Sequence, residues 1–483
     1  MSDFDLAAAA RREMAAQGFH PDFPPETNAQ LASIAALPPP SPSSSIQDLR
    51  HLPWSSIDND SSRDLDQIEY AERTPEGIRV LVGIADVDAA VNIHSPLDGH
   101  AASETTSVYT TVLTFPMLPE RLSTNLTSLN EEGGRYGIVI EYTVTPAGSM
   151  TKCAIYRGLI ENHAQLTYSG VGPWLEGAAP APSKIAASAE LAAQVKMQDE
   201  AACALRTMRH KLGALDFDRT EANITIENGK VTSLAAHKKN RAGDLIEDFM
   251  IAANEVMAQS LSKSGHSYIQ RVVKSPERWN RIVQLAATYN ETLPEEADSA
   301  ALNGFLKKRK AADPVHYPDL SLAVMKLMGP GEYAVTRPGE ESPGHFSLAA
   351  HNYSHSTAPN RRFADIVTQR LVKSMLAGQP PAYSDEELES IARNCTLKED
   401  AARKVERNMN KRMAAVALSG RIGERFHAVV TGVTPKGTFV RVLELPAEGR
   451  LMQGEHGVDV GDQIQVQLLR ADPLSGFIDF GKQ

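Results

Sequence analysis

The chain has 483 residues, 42% hydrophobic and 23% charged, the composition of an ordinary globular protein with room for more than one hydrophobic core. Lys and Arg total 49 against 60 Asp and Glu, a net charge of −11 that argues against a surface basic all over but permits a local basic channel. Cys153, Cys203 and Cys395 lie far apart, which excludes a disulfide framework and a cysteine zinc site, and no apolar run reaches the length of a membrane span or a signal core. A soluble, cytoplasmic protein with no membrane partner is expected.

In chain order, residues 1–50 read as a helical segment with helices over 4–17 and 25–36, followed by a Pro/Ser linker at 37–45. The two helices suit a packing hairpin better than a helix-turn-helix, because they lack a basic recognition face. From 52 to 145 the pattern is mostly strand and turn, with the β-branched runs GIRVLVGIADV and YGIVIEYTVT. A helical region follows, in which Leu245, Phe249, Ala252 and Val256 form one stripe. Further helices are predicted over PERWNRIVQLAATY, 361–376 and 385–417. Residues 424–483 return to short strands and glycine turns, the pattern of a small five-stranded oligonucleotide-binding barrel.

The stretch IDNDSSRDLDQIEYAE, residues 57–72, concentrates Asp58, Asp60, Asp64 and Asp66 with only Arg63 to offset them. It is either a solvated acidic loop or a cation site. Hard oxygen ligands of this kind suit Mg²⁺ or Mn²⁺, and their position between the apolar LPWSSI and VLVGIADV favours a site.

These residues, with LVGIADVDAAV, FPMLPERLSTNLTSLN, DLIEDFMIAANE and HFSLAAHNYSHSTAPNRRFADIVTQRLVKSML in that order, resemble successive signature segments of the ribonuclease II (RNB) family of exoribonucleases. The resemblance implies an α+β fold: a helical segment (1–50), an RNB catalytic domain (51–420) and an S1-type OB β-barrel (421–483) that binds RNA. It implies a monomeric, processive 3′→5′ hydrolytic exoribonuclease that acts on single-stranded RNA with Mg²⁺, for which Mn²⁺ substitutes, by a two-metal mechanism releasing nucleoside 5′-monophosphates. Asp58, Asp64 and Asp66 match three of the family's four metal-holding aspartates, and Gln67 stands where the fourth is expected. Asp66, Asp64 and Arg361 match positions at the reacting phosphate, Arg362 a phosphate or structural partner, Tyr109 and Phe217 the rings that clamp the 3′ end, and Tyr168 and Glu247 the contacts to the ribose.

Glutamine offers a metal only a neutral carbonyl oxygen, so a water or a neighbour such as Asp60 must compensate, or one ion binds loosely. Gln67 also suggests an alternative, a catalytically weakened RNA-binding protein on the same scaffold. Glu69 and Glu72 lie beyond the matched motif and read as surface charge. His351 and His355 have zinc-like spacing but no third ligand. The basic run Arg403, Lys404, Arg407, Lys411, Arg412, Arg421 and Arg425 either lines an RNA path or is simply solvated. In the barrel, Lys436, Phe439 and Arg441 are the expected contacts. Residues 1–50 are too few for the cold-shock-type barrels that often precede this catalytic domain, so a more open RNA entry is expected.

Overall fold

The computed structural model describes residues 5–131, 133–217, 221–227, 230–237, 239–314, 316–435, 437–443, 445 and 447–483. The β-branched runs build a mixed seven-stranded sheet. Its first strands are β1 (Gln47–Asp48), β2 (Ser55–Asp58), β3 (Gln67–Thr74) and β4 (Gly77–Ala85). A separate small hairpin follows, β5 (Val108–Tyr109) with β6 (Thr114–Phe115), and then β7 (Arg135–Val144), β8 (Met150–Ile160) and β9 (Ala164–Thr167) complete the sheet. The strand order is β1-β8-β7-β4-β3-β2-β9, with β1 parallel to β8, β2 parallel to β9, and the rest antiparallel. Strands β3 and β4 sit near the middle; β4 is buried over most of its length, in keeping with its apolar run, and the first five residues of β3 are buried as well.

The helices are α1 (Leu6–Ala16), α2 (Pro25–Ala35), α3 (Pro96–Glu104), α4 (Tyr168–Leu175), α5 (Ser183–Ala187), α6 (Ala189–Lys211), α7 (Arg241–Ser264), α8 (Trp279–Thr288), α9 (Ser299–Ala312), α10 (Tyr317–Met328), α11 (Phe363–Leu376) and α12 (Asp385–Leu418). Helices α6 and α7 cover one face of the sheet, and the stripe Leu245, Phe249, Ala252 and Val256 is buried there. The Asn240 side chain caps α7 by accepting from Gly243 N at 3.1 Å, and Gly265, at φ 75°, ends it in the left-handed region. Helices α8 to α10 form a second core around Trp279, Phe305 and Tyr317. Strands β10 (Glu221–Glu227) and β11 (Lys230–His237) pair with each other, as do β12 (Tyr268–Val272) and β13 (Glu332–Thr336). None of the described helices is long and apolar enough to cross a membrane.

Helix α11 is tied to the sheet by buried ion pairs. Arg370 meets Asp88 at 2.6 Å and Asp98 at 2.7 Å, while Lys373 meets Asp86 at 2.9 Å and Asp88 at 2.7 Å. Gln369 adds a bond from its amide to the Ala85 carbonyl at 2.7 Å. Within 52–145, where mostly strand and turn are expected, the chain also forms α3, a short helix with Pro96 in its first turn and Ser95 as its cap.

The C-terminal strands β14 (Arg425–Thr434), β15 (Gly437–Val442), β16 (Glu448–Gln453), β17 (Gln463–Asp472) and β18 (Phe477–Lys482) close a barrel in the order β14-β15-β16-β18-β17, as expected. Along β15, Thr438, Val440 and Val442 are buried, so alternation turns Phe439 and Arg441 outward. Lys436 lies outside the described residues.

The two N-terminal helices do not form the expected hairpin: α1 packs on α12, and α2 packs on α3. Leu6, Ala10 and Met14 of α1 join Val405, Met409 and Met413 of α12 in one apolar cluster, and Glu13 pairs with Arg412 at 2.8 Å. Met14 is 2% exposed, so Met14→Ala should cost about 2–5 kcal/mol, read as a lower urea midpoint.

Candidate active site

The loop over residues 59–66 joins β2 to β3 and carries the acidic cluster. Asp58 ends β2 and accepts from Asn59 N at 2.7 Å and Ser62 Oγ at 2.8 Å. Leu65 N donates to Ser128 Oγ at 2.9 Å, and Leu129 N donates to Leu65 O at 2.9 Å, so the loop is held from both sides of a buried leucine. Asp60 accepts from Ser169 Oγ at 2.7 Å, which turns it towards α4.

Asp66 is 3% exposed. It accepts from Asn360 N at 2.9 Å, and the Arg361 Nε stands 3.7 Å from its other oxygen. Burial pushes its carboxyl up to about 7, against the opposing pull of Arg361 and the Asn360 N–H. Arg361 is 46% exposed at the side chain, so its guanidinium is not committed to Asp66. Its backbone is fixed, because the carbonyl accepts from Ser107 N at 3.0 Å. Arg362 points the other way, into an ion pair with Asp365 at 2.8 Å; Asp365 also accepts from Ala358 N at 2.8 Å, and so braces the 357–362 loop.

Tyr109 donates its hydroxyl to Asp64 Oδ2 at 3.0 Å and leaves its ring 41% exposed beside the cluster. Burial, then the charge of Asp64, pushes its phenol up. Tyr168 opens α4, and its carbonyl accepts from Asn240 Nδ2 at 2.7 Å. A Cβ on Gly172 would overlap the Asn240 amide, so the close approach of α4 and α7 requires glycine there. Burial first, then the negative charge of Asp58 and Glu69, pushes the Tyr168 phenol up, with Arg361 and Glu247 also in its field. Glu247 sits half-exposed on α7, paired with Lys239.

The structure thus gathers Asp58, Asp64, Asp66, Arg361, Tyr109 and Tyr168 around the head of β3. Phe217 is half-buried against the second core of α8 to α10. Gln67 opens β3 and is 7% exposed, and its side-chain amide makes no hydrogen bond among the described residues. Glu69, expected at the surface, is instead fully buried, because β3 is covered on both faces at that position. The signal available was its place between Ile68 and Tyr70, in a strand that pairs with the apolar GIRVLVGIA run of β4. Glu72 is on the margin of the sheet, paired with Arg79 at 2.6 Å.

The oxygen donors Asp58, Asp64, Asp66 and Gln67 have the chemistry of a Mg²⁺ or Mn²⁺ site, and two under-compensated buried carboxylates, Asp66 and Glu69, fit a nearby positive charge. Among the described residues no three acidic, histidine or cysteine side chains stand close enough to form a ready-made metal site.

The architecture is that of a nuclease-type sheet domain followed by an S1-like barrel. The chain matches the RNB domain over residues 46–378 and the RNase II-type exonuclease C-terminal S1 domain over 424–483. It belongs to the RNB family. It is 30% identical to Ribonuclease R 1 of Lactococcus lactis over 95% of this chain and 59% of that protein. It is likewise 30% identical to Ribonuclease R of Thermotoga maritima, over 95% of this chain and 68% of that protein. The chain therefore spans about six to seven tenths of the length of these relatives. Its fold is also that of Mycoplasma genitalium RNase R in complex with ribose methylated single-stranded RNA, with a TM-score of 0.89, 23% identity, and coverage of 99% of this chain and 78% of that one.

The histidines with zinc-like spacing are not a site. His355 is half-buried, and its Nδ1 shares a 2.8 Å hydrogen bond with the Tyr333 hydroxyl, whereas His351 is exposed. Burial, then Arg362 and Arg271, hold His355 well below the usual histidine range. In the unfolded chain this histidine protonates below about pH 6.5, while in the fold it does not, so the unfolded state binds the extra proton and stability falls on acidification. Going from pH 7.5 to 5 should therefore lower the melting temperature of the wild type relative to that of His355→Asn, and an unchanged difference between the two overturns the assignment.

Proposed function

We propose that this chain is a hydrolytic 3′→5′ exoribonuclease that shortens single-stranded RNA processively, with a catalytic unit over 51–420 and an accessory RNA grip in the barrel over 421–483. The observation that carries this reading is the convergence, from distant parts of the chain, of Asp66, Arg361 and the Tyr109–Asp64 pair at the head of β3. The cleaved bond is the one between phosphorus and the 3′ oxygen of the penultimate nucleotide. The water oxygen bonds to phosphorus, that 3′ oxygen leaves and takes up a proton, and the phosphate departs with the terminal nucleotide as a 5′-monophosphate.

Asp58, Asp64, Asp66 and Gln67 would hold Mg²⁺. When bound, the ions supply Lewis acidity, making the attacking water more acidic and neutralising charge at the leaving oxygen. Arg361 offers a permanently charged, planar donor set for the phosphate oxygens, where charge builds in the transition state. The exposed Tyr109 ring stacks on the terminal base without reading its identity. Tyr168 and Glu247 are placed to contact the ribose, where the 2′-hydroxyl separates RNA from DNA.

The exposed side chains of Lys404, Arg407 and Lys411 share one face of α12 and make no ion pairs among the described residues. That helix passes beside the Tyr109 hairpin, with Thr111 Oγ1 donating to Asn410 Oδ1 at 3.3 Å. Arg403, Arg412 and Arg421 of the same run are already paired with Glu399, Glu13 and Glu424. The stripe therefore forms the strand's approach to the site.

Gln67 favours a second reading, a catalytically weakened RNA-binding protein. Incubating 5′-labelled RNA and matched DNA with Mg²⁺, Mn²⁺ or chelator separates the two. Stepwise shortening of the RNA alone, dependent on metal, is expected; RNA that is shifted on a native gel yet never shortened sinks the enzyme reading. Asp66→Asn should abolish cleavage and leave RNA affinity within a few-fold of wild type, as measured by filter binding. Replacing Lys404, Arg407 and Lys411 by Ala should weaken RNA binding and lower the slope of log affinity against log salt by about 0.7 for each phosphate that is no longer neutralised.

A further inference from the structure

Two residues of β3 bear on the charge of the site from the same side of the strand. Gln67 stands in place of a carboxylate at its head, and Glu69 adds a carboxylate two residues later, where strand alternation turns both side chains to the same face. Glu69 is fully buried, and neither of its oxygens has a hydrogen-bond partner. The Ser55 hydroxyl, across from it on β2, and the Tyr142 phenol are also buried and unpartnered. Among the described residues no Lys, Arg or His pairs with Glu69, and the charged group that acts on it is Asp58. Glu69 is paired in register with Ser55, the first residue of β2, and the same strand ends at Asp58, so Glu69 lies beside the strand that leads into the cluster.

A buried carboxyl group beside a carboxylate stays ionised only where a positive charge answers it, and otherwise keeps its proton. None of the described residues supplies one. Asp60, the neighbour expected to compensate for the missing aspartate, is turned away to Ser169. We propose that Glu69 supplies the negative charge that Gln67 lacks, acting with Asp58 on a divalent cation at the head of β3 to which Gln67 gives only a neutral carbonyl oxygen. Residues two apart on a strand are separated by about 6.6 Å, so the glutamate acts from deeper in the strand, and its extra methylene relative to aspartate extends its reach towards the ion. The inference rests on the metal-dependent reading above and adds a ligand-shell residue that the matched aspartates do not include.

The test is a Mn²⁺ titration of the full chain, with free ion followed by electron paramagnetic resonance, in wild type, Glu69→Gln, Gln67→Asp and the double variant. Glu69→Gln should weaken Mn²⁺ binding roughly 10- to 100-fold, and Gln67→Asp should recover it in the double variant. In chelator, Glu69→Gln should melt no lower than wild type, because it removes a buried charge without changing shape. Wild-type affinity in Glu69→Gln overturns the proposal alone. A wild-type chain that binds no Mn²⁺ and cleaves RNA in chelator overturns the metal reading together with it. Should Glu69→Gln not fold, anomalous diffraction from wild-type crystals soaked in Mn²⁺ decides: an ion in contact with Glu69 directly or through one water is expected, and an ion beyond that reach overturns the assignment.

Discussion

Asp66 is buried where β3 begins, and its charge is answered by a single backbone N–H and a guanidinium 3.7 Å away. That shortfall organises the surrounding structure. It requires the loop before α11 to approach the sheet closely enough for Asn360 N to reach the carboxylate, and Asn360 is itself fixed when Thr127 Oγ1 donates to its side chain at 2.5 Å. The same approach delivers Arg361 to the cluster with its side chain half in solvent, held in place but still available to an anion.

The anchoring is ionic and lies on the far side of α11. Arg370 and Lys373 are spent on Asp86, Asp88 and Asp98, all from the segment that follows β4. Buried pairs of this kind contribute little net stability, yet losing one partner leaves a stranded charge, so they fix the helix in one position. Arg361 and Arg362 are adjacent in sequence and divide the work: one faces the cluster, and the other locks the loop through Asp365.

Much of this was legible in the sequence. The long amphipathic helices announced themselves through apolar stripes, and the barrel through alternation and glycine turns. Asp58, Asp64 and Asp66 stood out because acidic residues amid strand-forming sequence have no ordinary reason to be there. What could not be read depended on tertiary cover. Glu69 looks like solvent-facing charge until α6 is laid over β3. The N-terminal helices look like a hairpin until α12 offers α1 a better apolar surface. Arg370 and Lys373 carry no local mark that would distinguish them from solvated cations.

Helix α12 runs unbroken for 34 residues, about 50 Å at the usual rise per residue. Along that length it meets β13, the Tyr109 hairpin and α1, and its last residues, Ala414, Ala415 and Leu418, enter the core of the barrel. A continuous helix has no hinge, so the barrel is seated on the catalytic unit at a set distance and does not trail from a tether. On the proposed function, an RNA strand reaching from the barrel to the acidic cluster would cross a span set by helix geometry and not by the length of a flexible linker.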